Sequence, residues 1–530
     1  MANSKRTKTK VAPVQQQGIT PQNMAMIQQM QDMQAAENQQ KILTQEADNK
    51  QHDPDSEQTP DPQMIVITDK DVKRAMGILQ KYKECKANLE KRIIENEEWF
   101  KMQHWPMIQK EQKKDDIRPA SAWLFNSIIN KHADIMDNFP EALILPREQS
   151  DEATAKTLSS VIPVILQQND YEQVYSDIGW YKLKTGSSAQ SICWDNTKLN
   201  GLGDISIKKC DIINLFWQSG ITDIQDSANV FYVTLVDNDE LKKNYPNLKS
   251  LGNYPELDVN KYIYDDQVDT TEKSAVVDWY YKQHVSGYDK DGIPQTKTIL
   301  QYCKFCNGQV LFASENDPQM REEGFYKHGM YPFVIDTMYP EEGMLCGFSD
   351  IDVMKDCQAY IDKMQQAILD NALSNARNRA IFNDQTGINE KEFSDPSCTL
   401  VHANGNLGEN AYRPLEGKPL NGIYVTVLNN KIQELKDTSG NIASSQGQAS
   451  SVTSASGIAS LQEAAGKLAR DSNKSAYRAF ARVVQMVIEL IRQFYTEERC
   501  FRITGDDGEQ DFVSFDNSGL LPREQGQACE

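Results

Sequence analysis

The sequence predicts an α+β protein in which helices accompany a mostly antiparallel sheet. Apolar residues recur every three or four positions over 68–183, the spacing of helices. They alternate with polar residues over 187–313, which is typical of strands. Helical spacing then returns at 349–382 and 423–437, and in a run without proline at 456–498.

Length and charge narrow the classes of function. The chain has 530 residues, room for roughly two to four ordinary domains, and a formal net charge of −20. This acidity argues against tight nucleic-acid binding, which needs clustered lysine and arginine, but it permits a protein past which DNA slides. An acidic protein with no nucleic-acid role is the commoner case, so charge alone leaves both interpretations open.

The cellular setting is predicted from cysteines and apolar runs. Ten cysteines are scattered without the density of a secreted disulfide scaffold, which favours a reducing, intracellular environment. The basic start MANSKRTKTK leads into Gln-rich sequence, so we expect no signal peptide. Apolar runs such as 483–491 are too short for a membrane span and contain Gln485 and Glu489. A soluble protein without membrane contact is predicted.

Residues 1–67 lack a sustained apolar face and are rich in Gln, Asn, Asp, Met and Pro. Such a composition buries too little surface to offset the entropy of the chain. We therefore expect a disordered arm, or one ordered only by partners. Its early positive charges are better interpreted as a solvated tail than as a nucleic-acid contact.

Residues 68–348 are predicted to form one domain, helices first. Thr68 and Asp71 form a capping box before the first helix, which extends to about Phe100. Further helices are expected at 121–138, at 151–168 with a kink at Pro163, and at 171–183. The strands that follow read SAQSICWD, DISIKKCDI, VFYVTLVD, SAVVDWYYKQHV, TKTILQYCKFC and GQVLFA.

Residues 349–530 are predicted to be dominated by helices. Ser349 and Asp352 form a second capping box, and the helix behind it is expected to reach about Phe382. A compact insert at 383–422 precedes a helix at 423–437, a small-residue polar loop at 438–456 and a long helix at 457–498. That helix would be roughly 60 Å long, which suggests packing by neighbouring subunits. A hairpin and tail are expected at 499–530.

Motifs of catalysis are missing from the sequence. It contains no phosphate-binding loop, no G-x-S-x-G elbow and no H-E-x-x-H, and its six histidines stand isolated. Cys303 and Cys306 have the spacing of a zinc knuckle but no second ligand pair, so a strand end before the Asn307–Gly308 turn is the better interpretation. We expect no enzyme activity, no metal and no cofactor.

The order of these elements resembles that of tailed-bacteriophage portal proteins. Four stretches carry the resemblance: WLFNSIINKHADIMDNFPEALILPREQSDEATAKTLSSVI, YEQVYSDIGWYKLKTGSSAQSICWD, HGMYPFVIDTMYPEEGMLCGFSDIDVMKDCQAYIDKMQQAILDN and SASGIASLQEAAGKLARD. Two features depart from the family: the strand-like pattern after the long helix predicts no helical barrel there, and the Gln-rich arm has no counterpart that we can match.

The resemblance implies a portal-type fold assembled as a ring, commonly of twelve subunits. In it, 68–348 would be the wing, 349–382 and 423–437 the stem helices, 383–422 the clip and 438–456 the tunnel loop. The long helix would run from wing to crown. Implied partners are double-stranded DNA, the terminase large subunit, a head-tail adaptor, the major capsid protein and a scaffold. The implied location is a capsid vertex of the virion, with assembly in the host cytoplasm.

By position, the resemblance also implies two sets of site residues. The tunnel loop would present to DNA the polar residues Ser439, Asn441, Ser444, Ser445, Gln446, Gln448, Ser451, Thr453 and Ser454. The clip would present to terminase or adaptor the residues Asn389, Glu390, Lys391, His402, Asn404, Asn406 and Glu409.

Two alternatives remain at this point. The chain could be another ring-forming virion protein, such as a tail adaptor or a scaffold-like connector, although adaptors are usually shorter and lack the helix–insert–helix order. A metal-dependent nuclease that uses unplaced carboxylates ranks third.

Overall fold

A computed structural model describes most of the chain, and residues 65–530 form one compact unit. The described residues are 66–109, 117–146, 151–246, 248, 251, 272–288, 294–376, 379–383, 387–395, 397–405, 408, 412–415, 420–440, 455–504 and 510–520. The backbone alone is described at 285–288, 294–296, 379–380, 382, 412, 414–415, 455–469, 504 and 510–511. The arm predicted at 1–67 lies almost wholly outside the described residues.

A layer of helices opens the described chain, as the apolar spacing predicts. Its members are α1 (Asp69–Phe100), the short α2 (Trp105–Ile108), α3 (Trp123–Asp137), α4 (Glu152–Gln168) and α5 (Tyr171–Thr185). The first capping box is confirmed: the Thr68 N–H and hydroxyl both donate to Asp71 Oδ2, at 3.1 and 2.8 Å. Pro163 lies inside α4, and the kink expected there stays a prediction.

Gly186 ends α5 and turns the chain into the sheet. Its φ is +86°, and a Cβ there would lie 2.5 Å from the carbonyl carbon of Phe348. Only glycine accepts both the left-handed backbone and this close approach. The end of α5 is thus held against the segment that precedes the next long helix.

Two antiparallel sheets follow, and every strand predicted from the alternating pattern is confirmed. One sheet has the order β2-β1-β8 and the other β3-β4-β5-β6-β7. Their strands are β1 (Ser187–Asp195), β2 (Asp204–Cys210), β3 (Leu215–Trp217), β4 (Asn229–Asp237), β5 (Lys273–Tyr288), β6 (Pro294–Cys306), β7 (Gln309–Ala313) and β8 (Phe333–Thr337). Short helices α6 (Asn238–Asn244) and α7 (Pro318–Glu323) lie between strands. The pattern missed β3 and β8, which are short.

Cys303 and Cys306 are both fully buried in β6, which ends at Cys306 before a two-residue turn. Burial raises the pKa of their thiols, to about 12 for Cys303 and about 11 for Cys306. The geometry supports the strand-end interpretation.

The second half of the chain is mainly helical. It contains α8 (Asp350–Ala376), β9 (Arg379–Phe382), α9 (Glu390–Ser394), β10 (Tyr412–Leu415), α10 (Ile423–Ser439) and α11 (Ala455–Phe494). The hairpin predicted near the C-terminus is confirmed as β11 (Arg499–Thr504) paired with β12 (Gln510–Phe515). None of the described helices combines the length and apolarity that a membrane crossing requires.

Helix α8 ends at Ala376, not near Phe382 as predicted. Residues 379–382 instead form β9 and pair with 412–415 of β10. This pairing brings the two ends of the insert together, as its position between two helices requires. Helical spacing up to Ala372 could not reveal a strand partner some thirty residues away.

The largest core cluster joins the helical layer, the three-stranded sheet and the C-terminal half of α11. Val483, Val487, Leu490 and Ile491 of α11 are fully buried there. Tyr495 follows at the end of the helix, and its hydroxyl donates to Asp204 Oδ1 at 2.7 Å. The long helix is therefore partly a core element of its own chain.

Candidate functional site

Helices α8 and α10 pack against each other and carry the insert at their far end, so together they form a helical hairpin. The base of α8 is fixed by the second predicted capping box, which is confirmed. The Ser349 N–H donates to Asp352 Oδ2 at 3.0 Å, and the Asp352 N–H donates to Ser349 Oγ at 3.2 Å. Beside it, Asp350 Oδ1 accepts from Lys131 Nζ at 2.7 Å and from the Tyr339 hydroxyl at 3.0 Å.

Burial opposes ionisation of Asp352, yet its pKa is lowered, because the Ser349 N–H and the Lys355 ammonium both stabilise the carboxylate. The carboxylates at the base of α8 thus have specific partners, among them Lys131 in the helical layer. Asn96 of α1 adds to this, since its side-chain amide donates to both Ser349 Oγ and Asp352 Oδ2 at 3.0 Å.

A buried polar network holds α8 about three turns further along. Asp362 is fully buried, and its carboxylate lies 2.6 Å from His104 Nδ1. The other oxygen of Asp362 accepts from the Ser121 N–H at 3.2 Å and from Gln358 Nε2 at 2.9 Å. His104 Nε2 lies 3.0 Å from the Trp99 carbonyl oxygen. These bonds lock the first half of α8 onto the helical layer.

The rest of the hairpin leaves the core. Helix α8 is described along its full length, and no residue of it after Asp362 is buried. Large apolar side chains are nevertheless common there, and those that are at least 39% exposed are Leu369, Leu373, Ile381, Leu400, Val401, Ile423, Val425 and Val427. An exposed apolar surface of this kind is typical of protein–protein interfaces.

The predicted clip residues that the structure describes lie together in the insert. Asn389 caps α9 by accepting from the Lys391 N–H at 3.2 Å, and its own N–H donates to the His402 carbonyl at 2.9 Å. Asn404 N–H donates to the Gly387 carbonyl at 3.1 Å. Glu390, Lys391, His402 and Asn404 are exposed. Asn406 and Glu409 lie outside the described residues.

Glu392, which the sequence did not single out, links the two halves of the insert. Its Oε2 accepts from both the N–H and Nδ1 of His402, each at 2.8 Å. These bonds lower the pKa of Glu392. The signal was weak in the sequence, because the two residues lie ten positions apart in a stretch of turns.

The predicted tunnel loop is described only at its ends. Helix α10 extends to Ser439, which is 2% exposed and donates from Oγ to the Lys436 carbonyl at 2.9 Å. Gly440, with φ +76°, ends that helix. The structure therefore places Ser439 in a helical turn. The other eight residues predicted for the loop, from Asn441 to Ser454, lie outside the described residues.

Helix α11 begins at Ala455 and is tied to the body of the protein about five turns later. Ser475 Oγ donates to Asp336 Oδ1 at 2.7 Å, and Lys182 Nζ donates to the other oxygen of Asp336 at 2.8 Å. Lys182 Nζ also donates to the Ser472 carbonyl at 3.0 Å. A buried ion pair on β8 thus fixes α11 where it enters the core.

A family model described as Phage P22-like portal protein matches residues 114–528, well over half of the chain. The chain belongs to this portal protein family. The match covers the hairpin, the insert, α11 and the C-terminal β-hairpin, whereas α1 precedes it. The portal family is a structural one. None of the curated proteins compared with the chain matches it. Among the residues described in this portal protein, no group of His, Cys, Asp and Glu is arranged to hold a metal.

Proposed function

We propose that the chain assembles into a ring at one capsid vertex, with twelve copies expected, and that double-stranded DNA is packaged and ejected through its centre. The main support for this proposal is apolar surface on the distal part of the α8–α10 hairpin. Leu369, Leu373, Val425 and their neighbours are exposed there in the single chain. In a closed ring, each hairpin would pack against those of its two neighbours and remove this apolar surface from water.

The regions take their roles from this arrangement. The body at 68–348 serves as the wing, the hairpin helices as the stem, and the insert as the clip. The polar stretch at 441–454, between α10 and α11, faces the DNA. Uncharged side chains such as serine and glutamine make few strong contacts with phosphate, so DNA can slide past them.

The exposed insert is the proposed docking surface for the terminase motor during packaging and later for the head-tail adaptor. Its hydrogen-bonded pair, the half-buried Glu392 with the exposed His402, and the exposed Glu390 and Lys391 offer polar contacts that can be exchanged between partners. The major capsid protein, and a scaffold during assembly in the host cytoplasm, would contact the wing.

Mass photometry and negative-stain imaging of the purified chain test the ring. We expect rings with a central hole wide enough for duplex DNA. A strict monomer under assembly conditions, or a closed ring without such a hole, contradicts the proposal.

Deletion of 441–452 tests the role of the loop. We expect intact rings with impaired packaging or DNA retention, because the deletion leaves α10 and the core-bound half of α11 in place. Loss of ring formation would show that the loop serves assembly and not the channel.

A further inference from the structure

A row of basic side chains runs along the exposed face of α11. Arg470, Lys474, Arg478 and Arg482 recur every four residues, and all four are exposed. Residues four apart on a helix share a face and are separated by about 6 Å along its axis, so this basic row is about 18 Å long. The opposite face of the same helix is packed into the core.

The basic row contrasts with the charge of the whole chain. The chain has 76 acidic and 56 basic residues, an acidic excess of 20, yet 470–488 contains four basic residues and one acidic residue, Asp471. Helix α1 is also rich in basic residues, but there acidic residues are interleaved and form ion pairs such as Arg74–Asp71 at 3.3 Å and Lys91–Glu95 at 3.8 Å. Positive charge is concentrated on α11 and balanced on α1.

The two ends of the basic row already interact within the chain. Arg482 Nη2 lies 3.0 Å from Asp223 Oδ2, and its side chain remains 55% exposed. Arg470 also has a partner in the chain. These contacts orient the ends, and Lys474 and Arg478 occupy the middle.

We propose that the basic row binds the phosphate backbone of double-stranded DNA. A length of about 18 Å spans about five phosphates of one strand, which are spaced 3.4 Å apart along the duplex axis. Three of the four residues are arginines, whose guanidinium groups donate two parallel hydrogen bonds to a phosphate. Contacts to phosphate carry no sequence information, which suits a protein that must accept any stretch of a genome.

This inference rests on the proposed channel function, because it assumes that DNA passes the ring. It deepens that function by naming a second DNA contact, on a rigid helix that follows the polar loop along the chain. An acidic surface on a neighbouring subunit is the competing partner for the same charges, and the experiment distinguishes the two.

The test measures binding of a short labelled duplex of random sequence to the purified full chain by fluorescence anisotropy, from about 50 to 200 mM salt. The test variant combines Arg470→Gln, Lys474→Gln and Arg478→Gln. The matched control combines Lys70→Gln, Lys73→Gln and Lys81→Gln on α1, which removes the same charge from exposed positions. Thermal unfolding of each variant verifies that it is folded.

We expect the α11 variant to bind at least about tenfold more weakly and to reduce the slope of log K against log salt by about 3, one for each phosphate contact. The α1 control should retain most of the affinity for the duplex and most of the salt dependence. A charge-conserving variant, Arg470→Lys with Arg478→Lys, should retain the slope even if geometry at single phosphates changes.

Equal losses in the α11 and α1 triples, or unchanged binding in the α11 triple, overturn the proposal. Loss of rings in the α11 triple with unchanged DNA binding assigns the row to a neighbouring subunit instead. If wild-type chains form rings but the α11 triple binds DNA normally, only this inference fails. If wild-type chains form no rings, the channel function itself fails.

Discussion

Both halves of α8 carry apolar residues at helical spacing, but only the first half buries some of them in the core. In the first half, Ile351 and Ile361 are fully buried against the body of the same chain. In the second half, Leu369 and Leu373 are 41% and 48% exposed. Apolar side chains are stabilised when they are removed from water. The single chain leaves those of the second half partly in water, as is typical of a protein–protein interface.

In the proposed ring, one helix would serve two structural purposes. Its first half is held by capping bonds and by the Asp362 network, which orient the hairpin relative to the body. Its second half presents exposed apolar side chains, which the proposed ring would cover. Mutations in the two halves should therefore affect different measurements, folding in one and assembly in the other.

The largest effect is expected from Asp362→Ala. The change leaves His104 buried without its acceptor and removes hydrogen bonds from Ser121 and Gln358. Each buried polar group that loses its hydrogen-bond partner costs about 1–3 kcal/mol of unfolding free energy, and several groups lose a partner here. Urea unfolding of the isolated subunit measures the cost. Asp370→Ala, at an exposed position of the second half, is the control and should change stability by less than about 0.5 kcal/mol. Equal effects would show that the two halves do not differ.

A smaller but still large effect is expected from Ile361→Ala. Ile361 is fully buried, so truncation loses its transfer free energy and leaves a cavity, at a cost of about 2–5 kcal/mol. The same urea titration measures it. If the loss were below about 1 kcal/mol, the contact between α8 and the helical layer would be looser than the structure shows.

The third prediction compares a histidine of the packed region with one of the insert. Burial, with Arg492 nearby, lowers the pKa of His328 to about 4 from an ordinary 6.5. Between these values the unfolded chain binds the proton and the folded chain does not, so stability falls as pH drops from 6.5 to 4, by at most about 3 kcal/mol.

His328→Gln should remove the fall in unfolding free energy that His328 causes between pH 6.5 and 4. His402→Gln, in the exposed insert, should not change that fall. Glu489, whose pKa burial raises, titrates in the opposite sense and is unchanged in both variants. Chemical unfolding at a series of pH values compares the three proteins. Parallel curves for all three would rule out a role for His328 in acid sensitivity.

The smallest effect on folding, and the largest on assembly, is expected from Leu369→Ser with Leu373→Ser. Both side chains are already partly in water, so the two changes together should alter the unfolding free energy of the single subunit by about 1 kcal/mol or less. Mass photometry should show fewer rings at a given concentration, since subunit contacts lose apolar area. If this variant formed as many rings as the wild type, neighbouring subunits would contact each other through a different surface.

Much of the secondary structure was predictable because it depends on residues close in sequence. The capping boxes at Thr68 and Ser349, the helices of the first layer and the six alternating strands are all confirmed. The clip residues Asn389 and His402 were placed in the insert by position alone, and the structure brings them into contact. Their contact with a partner protein stays a prediction.

Other features were not predictable, because they depend on segments far apart in the chain. The sequence showed His104 as one of several isolated histidines, yet it pairs with Asp362, 258 residues away. Ser439 was expected in the polar loop, and it is buried in the last turn of α10. The sequence analysis did not single out the basic row of α11, and only the packing of the opposite face shows that the row is exposed.

The sequence by itself determined the kind and order of the elements and, through their order, the resemblance to portal proteins. The apolar period of two residues in strands or 3.6 in helices, and the capping residues, depend on only a few neighbouring positions. They can therefore be recognised before the fold is known. The tertiary structure alone decided where α8 ends, which half of it is buried and which face of α11 meets solvent. Those outcomes depend on which distant segments pack together and bury their apolar surface. Local periodicity contains no information about that pairing.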